Sequence, residues 1–350
     1  MRILLWHVHG GWTDAFVRGA HDYLFPTEPD RGPWGLGRGG RDWPANAVEV
    51  PHDALREEAV DVVVLQRLEE LDLAERLLGR RLGHDVPAVF LEHNTPKPHA
   101  VSTRHPLGAR ADIPIVHVTH FNELVWDSGD APTVVIEHGI PDPGHRYSGE
   151  IERIGIVVNE PVRRWRITGT DLLPRFIQAG GIDAFGMGVE RLPAALGFGA
   201  DRLTPVGDLP PHRLQSELAK RRLYLHLSRW TSLGLSLLEA MHLGVPVVAL
   251  QTTEAARAVP PGAGFLSTNV DELVAATRLL LEDPDAATRL GAAAREAAVE
   301  RYHLSRFLRD WDILLGDVEE RHRRTGRRIP VRIPAGLVIG RSTDAYRDGL

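Results

Sequence analysis

Short apolar runs alternate with stretches of helical periodicity along most of the chain. In the first half, continuous apolar segments fall at Ile3 to Val8, Asp61 to Gln66, Ala88 to Glu92, Ile115 to Thr119 and Thr133 to Glu137. The run Asp61-Val-Val-Val-Leu-Gln66 has almost no polar alternation, the pattern of a strand covered on both faces. After it, Arg67 to Leu82 places Leu68, Leu71, Leu78 and Leu82 at helical spacing, and Gly83 closes the segment. This strand–helix–strand rhythm predicts a parallel sheet.

Pro141-Asp-Pro-Gly144 interrupts the rhythm, which restarts at Ile154 to Val158. The second half then predicts a helix near Asp171, a strand at Ile182 to Phe185 and a helix over Pro211 to Lys220. A strand at Leu223 to Leu227, a helix at Leu235 to Leu243 and a strand at Val245 to Leu250 come next. Two alanine-rich helices follow, Val270 to Leu281 and Asp285 to Tyr302. A chain of 350 residues has length for two domains at roughly 150 residues each. The pattern predicts one over 1–148, a second over 149–303, and a C-terminal helix and basic tail over 304–350 that packs back on the first. Two successive parallel α/β domains with a cleft between them are the expected architecture.

Two segments break the pattern. Arg31 to Pro44, rich in Gly, Arg and Trp, reads either as a lid or as a solvated loop. Arg321-His-Arg-Arg-Thr-Gly-Arg-Arg328 reads as a solvated basic run. Hydrophobic content of 43% and charged content of 25% are ordinary for a globular protein. The net charge of −6 argues against a nucleic-acid binder. With no cysteine, disulfides and thiolate chemistry are excluded, and a cytoplasmic location is expected. The first apolar run breaks at His7, too short for a signal peptide, and no later run spans a membrane. Peripheral membrane contact stays open.

The most informative stretch runs from Tyr224 to Leu250. A strand ends near Ser228, and a polar turn offers Thr231 and Ser232 as helix N-caps. A helix begins near Leu233 and Gly234, Gly244 suits its C-terminus, and Pro246 stops it. The helix N-terminus therefore points out from the carboxyl end of a parallel strand, where α/β sheets bind ligands and free N–H groups favour phosphate. Gly234 permits close backbone approach. Glu239, in the second turn, is able to accept two hydrogen bonds from ribose hydroxyls. Taken alone, a solvated glutamate near a helix start is the stronger reading.

This segment resembles the donor-binding motif of glycosyltransferase family 4, retaining enzymes of the GT-B fold. Gly234, Glu239, Ala240, Met241, Gly244, Pro246, Val247 and Val248 fall on that motif, while Thr231 stands where the family has its first glutamate. The resemblance implies that Glu239 holds ribose, and that Ser232, Gly234 and Leu235 line the donor site with Thr231. It implies that Gly207, in Val206-Gly-Asp-Leu-Pro210, lies near the base, and that Gly10 and Gly11 face the diphosphate. His93, ending the strand Val89-Phe-Leu-Glu-His93, matches a histidine facing the cleft. The family's diphosphate-neutralising lysine is absent; Thr168 occupies that position, and Arg163, Arg164 and Arg166 are the nearby replacements, balanced against a reading in which they face solvent. His93, Arg163 and Arg166 are the expected catalytic residues and Arg164 a donor ligand.

The implied reaction is sugar transfer from a nucleoside diphosphate sugar to an acceptor, with retention of configuration and without a metal or other cofactor. A non-catalytic nucleotide-sugar or glycan binding protein and a nucleotide-sugar epimerase are the alternatives. His7-Val-His9 and His117-Val-Thr-His120 have metal-ligand spacings, but no carboxylate completes either set. The pair Gly186-Met-Gly188 lacks the rest of a dinucleotide fingerprint.

Overall fold

A computed structural model describes residues 1–325. The basic residues beyond that point, including Arg327 and Arg328 of the C-terminal run, lie outside the described residues. The chain separates into two compact units, Met1–Gly139 with the segment from Ser305, and Ile140–Leu304. The division falls at 139/140 rather than at the expected 148/149, because residues 142–148 belong to the second unit. Asp142 pairs with Arg295 (2.8 Å), and the Tyr147 hydroxyl donates to the Arg222 carbonyl (2.8 Å).

The first unit is built on seven parallel strands: β1 (Arg2–Leu5), β2 (Asp22–Thr27), β3 (Ala47–Pro51), β4 (Val62–Leu65), β5 (Ala88–Glu92), β6 (Ile115–His117) and β7 (Thr133–Val135). Their spatial order is β3-β2-β1-β4-β5-β6-β7. Helices α1 (Gly10–Phe16), α2 (Glu69–Leu78) and α3 (His120–Val125) connect them. The second unit has six strands, β8 (Ile151–Val157), β9 (Ile182–Phe185), β10 (Leu203–Gly207), β11 (Arg221–His226), β12 (Val247–Leu250) and β13 (Phe265–Ser267), ordered β10-β9-β8-β11-β12-β13. Its helices are α4 (Pro161–Arg164), α5 (Leu173–Ile177), α6 (Leu192–Leu196), α7 (Pro211–Leu218), α8 (Leu235–Leu243), α9 (Ala255–Ala258), α10 (Val270–Glu282) and α11 (Pro284–Arg301).

The central strands β4 and β12 are buried on both faces, as their unbroken apolar runs require; β5 and β11 are equally buried although β5 ends in Glu92 and β11 begins with two arginines. In each sheet the chain first builds outward on one side and then resumes on the other. The strand order reverses between β1 and β4 in the first unit and between β8 and β11 in the second. Such reversals open a crevice outside the carboxyl ends of the two strands, the usual ligand position in open α/β sheets.

Four strands were not expected. β2 and β3 carry Pro26, Glu49 and Pro51, and β10 carries Pro205, which disguise them. β13 is only three residues long. The helix expected over Arg67–Leu82 is shorter: Gly79, in the left-handed conformation at φ 64°, ends α2 in place of Gly83.

Helix α12 (Leu304–Thr325) returns the chain to the first unit. Phe307 and Trp311 are fully buried on its inner face. The Trp311 ring centroid lies 5.5 Å from Trp12 and 5.0 Å from Phe16, edge to face in both cases. Gly139 is required where α12 crosses, since a Cβ there would overlap Phe307. Trp311→Ala should therefore cost about 3–5 kcal/mol of stability, read as an earlier thermal transition. An unchanged transition would show that α12 does not hold the first unit together.

Candidate functional site

The second unit concentrates the motif residues at its β8/β11 reversal. β11 ends at His226, and residues 227–234 form the turn into α8. Two glycines make the turn fit. Gly169, from the segment after β8, sits at φ 73° against the Leu227 carbonyl, which a Cβ would overlap. A Cβ on Gly234 would lie 2.7 Å from Cε1 of the buried His226. The helix N-cap is Gly234, which has no side chain to cap α8, so the N-cap position falls on neither Thr231 nor Ser232 as expected. The turn is simply longer than a capping geometry allows, and it places Thr231 and Ser232 before the cap. The first amides of α8 follow this glycine cap, at the end that carries partial positive charge.

Leu235 opens α8, and Glu239 lies half-buried in its second turn. The neighbouring helix surface is anchored by a buried phenol. Tyr224 Oη lies 2.9 Å from Ser236 Oγ and 3.2 Å from His226 Nδ1. Burial pushes the phenol's pKa far up, and the Glu239 charge adds to the shift. Burial alone holds His226 down at about 4, so its imidazole is neutral. α8 ends at Gly244, φ 82°, as its sequence suggested.

The segment after β8 faces the same crevice. Glu160 and Trp165 adopt positive φ, 53° and 26°, in residues that rarely do so. The three arginines differ. Arg163 is exposed, 3.7 Å from Glu160. Arg166 is exposed and paired with Asp171 at 3.3 Å. Arg164 is half-buried, and among the described residues no carboxylate pairs with it. Burial and the Arg163 charge lower its pKa. Thr168, at the family's lysine position, is buried, with its hydroxyl 3.2 Å from the Trp165 carbonyl and 2.9 Å from Thr170.

One residue that sequence reasoning passed over joins the two halves. Arg229, in the turn after β11, grips both oxygens of Asp171 (2.6 and 3.0 Å) and donates to the Arg166 carbonyl (2.8 Å). Its bidentate geometry ties the β11 turn to the segment after β8. Nothing in the local sequence marks that pairing. Gly207 closes β10 at φ 97°, and its carbonyl accepts from Gly186 N (2.9 Å). Gly186 and Gly188 are both left-handed and serve the loop after β9.

In the first unit, Gly10 and Gly11 open α1, and His93 follows β5. β1 stops at Leu5, so His7 and His9 lie beyond the strand and do not share a face as a strand pair would. His7 packs on Trp43 (4.6 Å between centroids), whereas His9 packs on His93 (3.8 Å). His138 stacks 6.2 Å from His93 on its other side. Burial, then Arg67, holds His9 at about 4; burial, then His9 and Arg306, holds His138 at about 3. Burial, then its two histidine neighbours, keeps His93 well below the ordinary range. Among the described residues, no group of three His, Cys, Asp or Glu side chains is arranged to hold a metal, and no helix is long and apolar enough to cross a membrane.

The segment 31–44 is folded onto this unit rather than loose. Trp43 is buried, the Trp34 carbonyl accepts from Trp6 Nε1 (2.8 Å), and Arg38 donates to the Trp43 carbonyl.

Comparison with known proteins agrees with this architecture. The family model described as glycosyl transferases group 1 matches residues 195–297. No curated protein matches the sequence. Among solved structures, sucrose-phosphate synthase from Thermosynechococcus elongatus is similar at 16% identity and a TM-score of 0.70, over 92% of this chain and 100% of that one. HepE from Anabaena in complex with UDP is similar at 15% identity and a TM-score of 0.66, over 90% and 100%. S. aureus TarM is similar at 15% identity and a TM-score of 0.59 over 73% of this chain, which spans 55% of TarM. The fold is GT-B: two Rossmann-like units with parallel sheets.

The buried histidines make stability depend on pH. Unfolded histidines titrate near 6.5, so the native imidazoles, with lowered pKa values, bind protons more weakly than the unfolded chain does. Their contribution is complete above about 6.5 and is lost as pH falls toward about 4 for His9 and about 3 for His138. Urea unfolding should show stability falling from pH 7 to pH 5, by about 1.4 kcal/mol per pH unit for each such histidine below 6.5. Equal stability at the two pH values would contradict neutral, buried imidazoles.

Proposed function

We propose that the chain is a glycosyltransferase that takes a sugar from a nucleoside diphosphate sugar and passes it to an acceptor with retention of configuration. The observation that carries this reading is the N-terminus of α8. Its N-cap is a glycine, Gly234; it emerges at the β8/β11 reversal and has Glu239 one turn further on. Free amides and the positive helix end suit a diphosphate, and a half-buried carboxylate suits the two ribose hydroxyls. Arg164 is the arginine best suited to replace the family's lysine, because it is sheltered and pairs with no carboxylate among the described residues. As the bond to the sugar breaks, charge grows on the leaving diphosphate; donors fixed in place for that charge are typically the largest catalytic term. The match to a glycosyl transferase family model over 195–297 and the UDP bound by HepE both favour this reading, with a uridine donor as the first choice. Retention rests on the resemblance of the Thr231–Val248 segment to family 4.

One observation favours a second reading, a protein that binds nucleotide sugar without turning it over. Thr231 offers a neutral hydroxyl where the family has a carboxylate, and the Thr168 hydroxyl is spent on its own loop. UDP release from UDP-hexoses, with and without sugar acceptors, separates the two readings. The first requires release that an acceptor accelerates; tight donor binding without release would establish the second.

Two substitutions test the site itself. Glu239→Gln should weaken UDP binding by about 1–3 kcal/mol, the cost of a pair of charge-assisted bonds. Arg164→Ala should weaken it by a similar amount, while Arg163→Ala and Arg166→Ala have little effect. Calorimetry with UDP reads all four. Wild-type affinity in folded Glu239→Gln, or three equally mild arginine effects, would reject these roles.

A further inference from the structure

The first unit has its own strand-order reversal, between β1 and β4, and two arginines stand at it. Arg67 is the second residue after β4. Its guanidinium stacks 3.9 Å over the Trp34 ring. Nε donates to Glu70 (2.7 Å) and Nη1 to the Pro33 carbonyl (3.0 Å), but Nη2 is shielded from solvent and meets no acceptor. Glu70 pairs with Nε, and its other oxygen accepts from the Gln66 and Arg67 amides (2.6 and 3.2 Å), so it leaves Nη2 without an acceptor. The Arg67 charge reaches the reversal itself, since it depresses His9 after β1.

Arg41 approaches from the other flank. Its guanidinium lies over the backbone of Gly10, where a Cβ would meet Nη2 at 2.6 Å, and after burial its charge is the next cause that lowers the His7 pKa. Among the described residues no carboxylate pairs with Arg41. The segment 31–44 supplies both devices, Trp34 as the platform under Arg67 and Arg41 itself. Gly39 permits the close fit, since a Cβ there would lie 3.0 Å from the His7 ring.

A sheltered guanidinium nitrogen without an acceptor costs free energy unless a partner arrives. Among the described residues Glu70 is already engaged and Arg41 has no carboxylate, so an anionic ligand would supply both an acceptor for Nη2 and a counter-charge for Arg41. We propose that the β1/β4 crevice binds an oxyanion, a phosphate or carboxylate group carried by the acceptor, between Arg41 and Arg67. This rests on the transfer reaction proposed above and narrows it: the acceptor is an anionic molecule rather than a neutral sugar. Arg67 offers its one unpartnered nitrogen, Nη2, and the planar fork of Arg41 suits two oxygens of such a group.

The indole N–H resonance of Trp34 reports on this crevice through its stacking on Arg67. Inorganic phosphate is titrated into the full chain with UDP present at saturation, with chloride at matched ionic strength as the control. The proposal expects a saturable shift of the Trp34 signal with phosphate and none with chloride. Arg41→Gln and Arg67→Lys should each weaken that phosphate response at least tenfold, and UDP affinity by calorimetry should change less than twofold. Arg41→Gln, on a surface segment, keeps the test open if the Arg67 variant does not fold. A Trp34 signal unmoved by phosphate in the UDP-loaded protein would overturn the proposal. So would loss of UDP affinity in folded variants, which would assign the arginines to the donor diphosphate. A wild-type protein that binds no UDP counts against the transferase reading alone, because the phosphate response is read independently.

Discussion

The Leu227 carbonyl, just past the end of β11, lies so close to Gly169 that no side chain fits between them, and the His226 ring lies close against Gly234. The ligand-facing geometry of the second unit depends on this pair of close approaches. They bring the segment after β8 and the turn before α8 against one strand end, and Arg229 then locks the two through Asp171. Because β11 is buried along its whole length, its side chains have no access to solvent chemistry. What the strand offers is direction: it aims the first amides of α8 into the crevice, and Tyr224 fixes the helix from beneath through Ser236.

The two units use the same topology with different electrostatics. At the β8/β11 reversal the positive potential comes from a helix end and one sheltered arginine. At the β1/β4 reversal α1 is short, and two arginines stand beside imidazoles that burial keeps neutral. Burial disfavours charge on these histidines, and charging His9 beside His93 at 3.8 Å, or His138 6.2 Å from His93, would add like charges in a dry environment. Each crevice is thus suited to negative charge without being densely cationic, which is consistent with a chain whose net charge is −6.

How much of this the sequence disclosed follows from how local each signal is. The limits of α8 were legible because Gly234, Gly244 and Pro246 act on their own neighbours. The buried strands β4, β5 and β12 were legible because covering both faces forces an unbroken apolar run. β2 and β3 escaped because their prolines and Glu49 look like loop residues; β3 is the edge strand, and Pro26 lies past the β2 residues that pair with β1. Gly79 ends α2 before Gly83, a choice made by backbone conformation that composition does not reveal. The differing states of Arg163, Arg164 and Arg166 depend on Glu160 and Asp171 in three dimensions. The Arg229–Asp171 clamp and the placing of Arg41 over Gly10 are contacts between residues far apart in the chain, so no spacing rule reports them. The capping expected of Thr231 failed for a simpler reason: the turn runs past it to Gly234.

The central claim is that the N-terminus of α8 receives a nucleoside diphosphate. A crystal structure of the protein grown with UDP tests it most directly. The account predicts the diphosphate against the Leu235 and Ser236 amides, the ribose hydroxyls on Glu239 and a guanidinium of Arg164 reaching the phosphates. UDP bound elsewhere, with the α8 amides left to solvent and Glu239 away from the ribose, would contradict it.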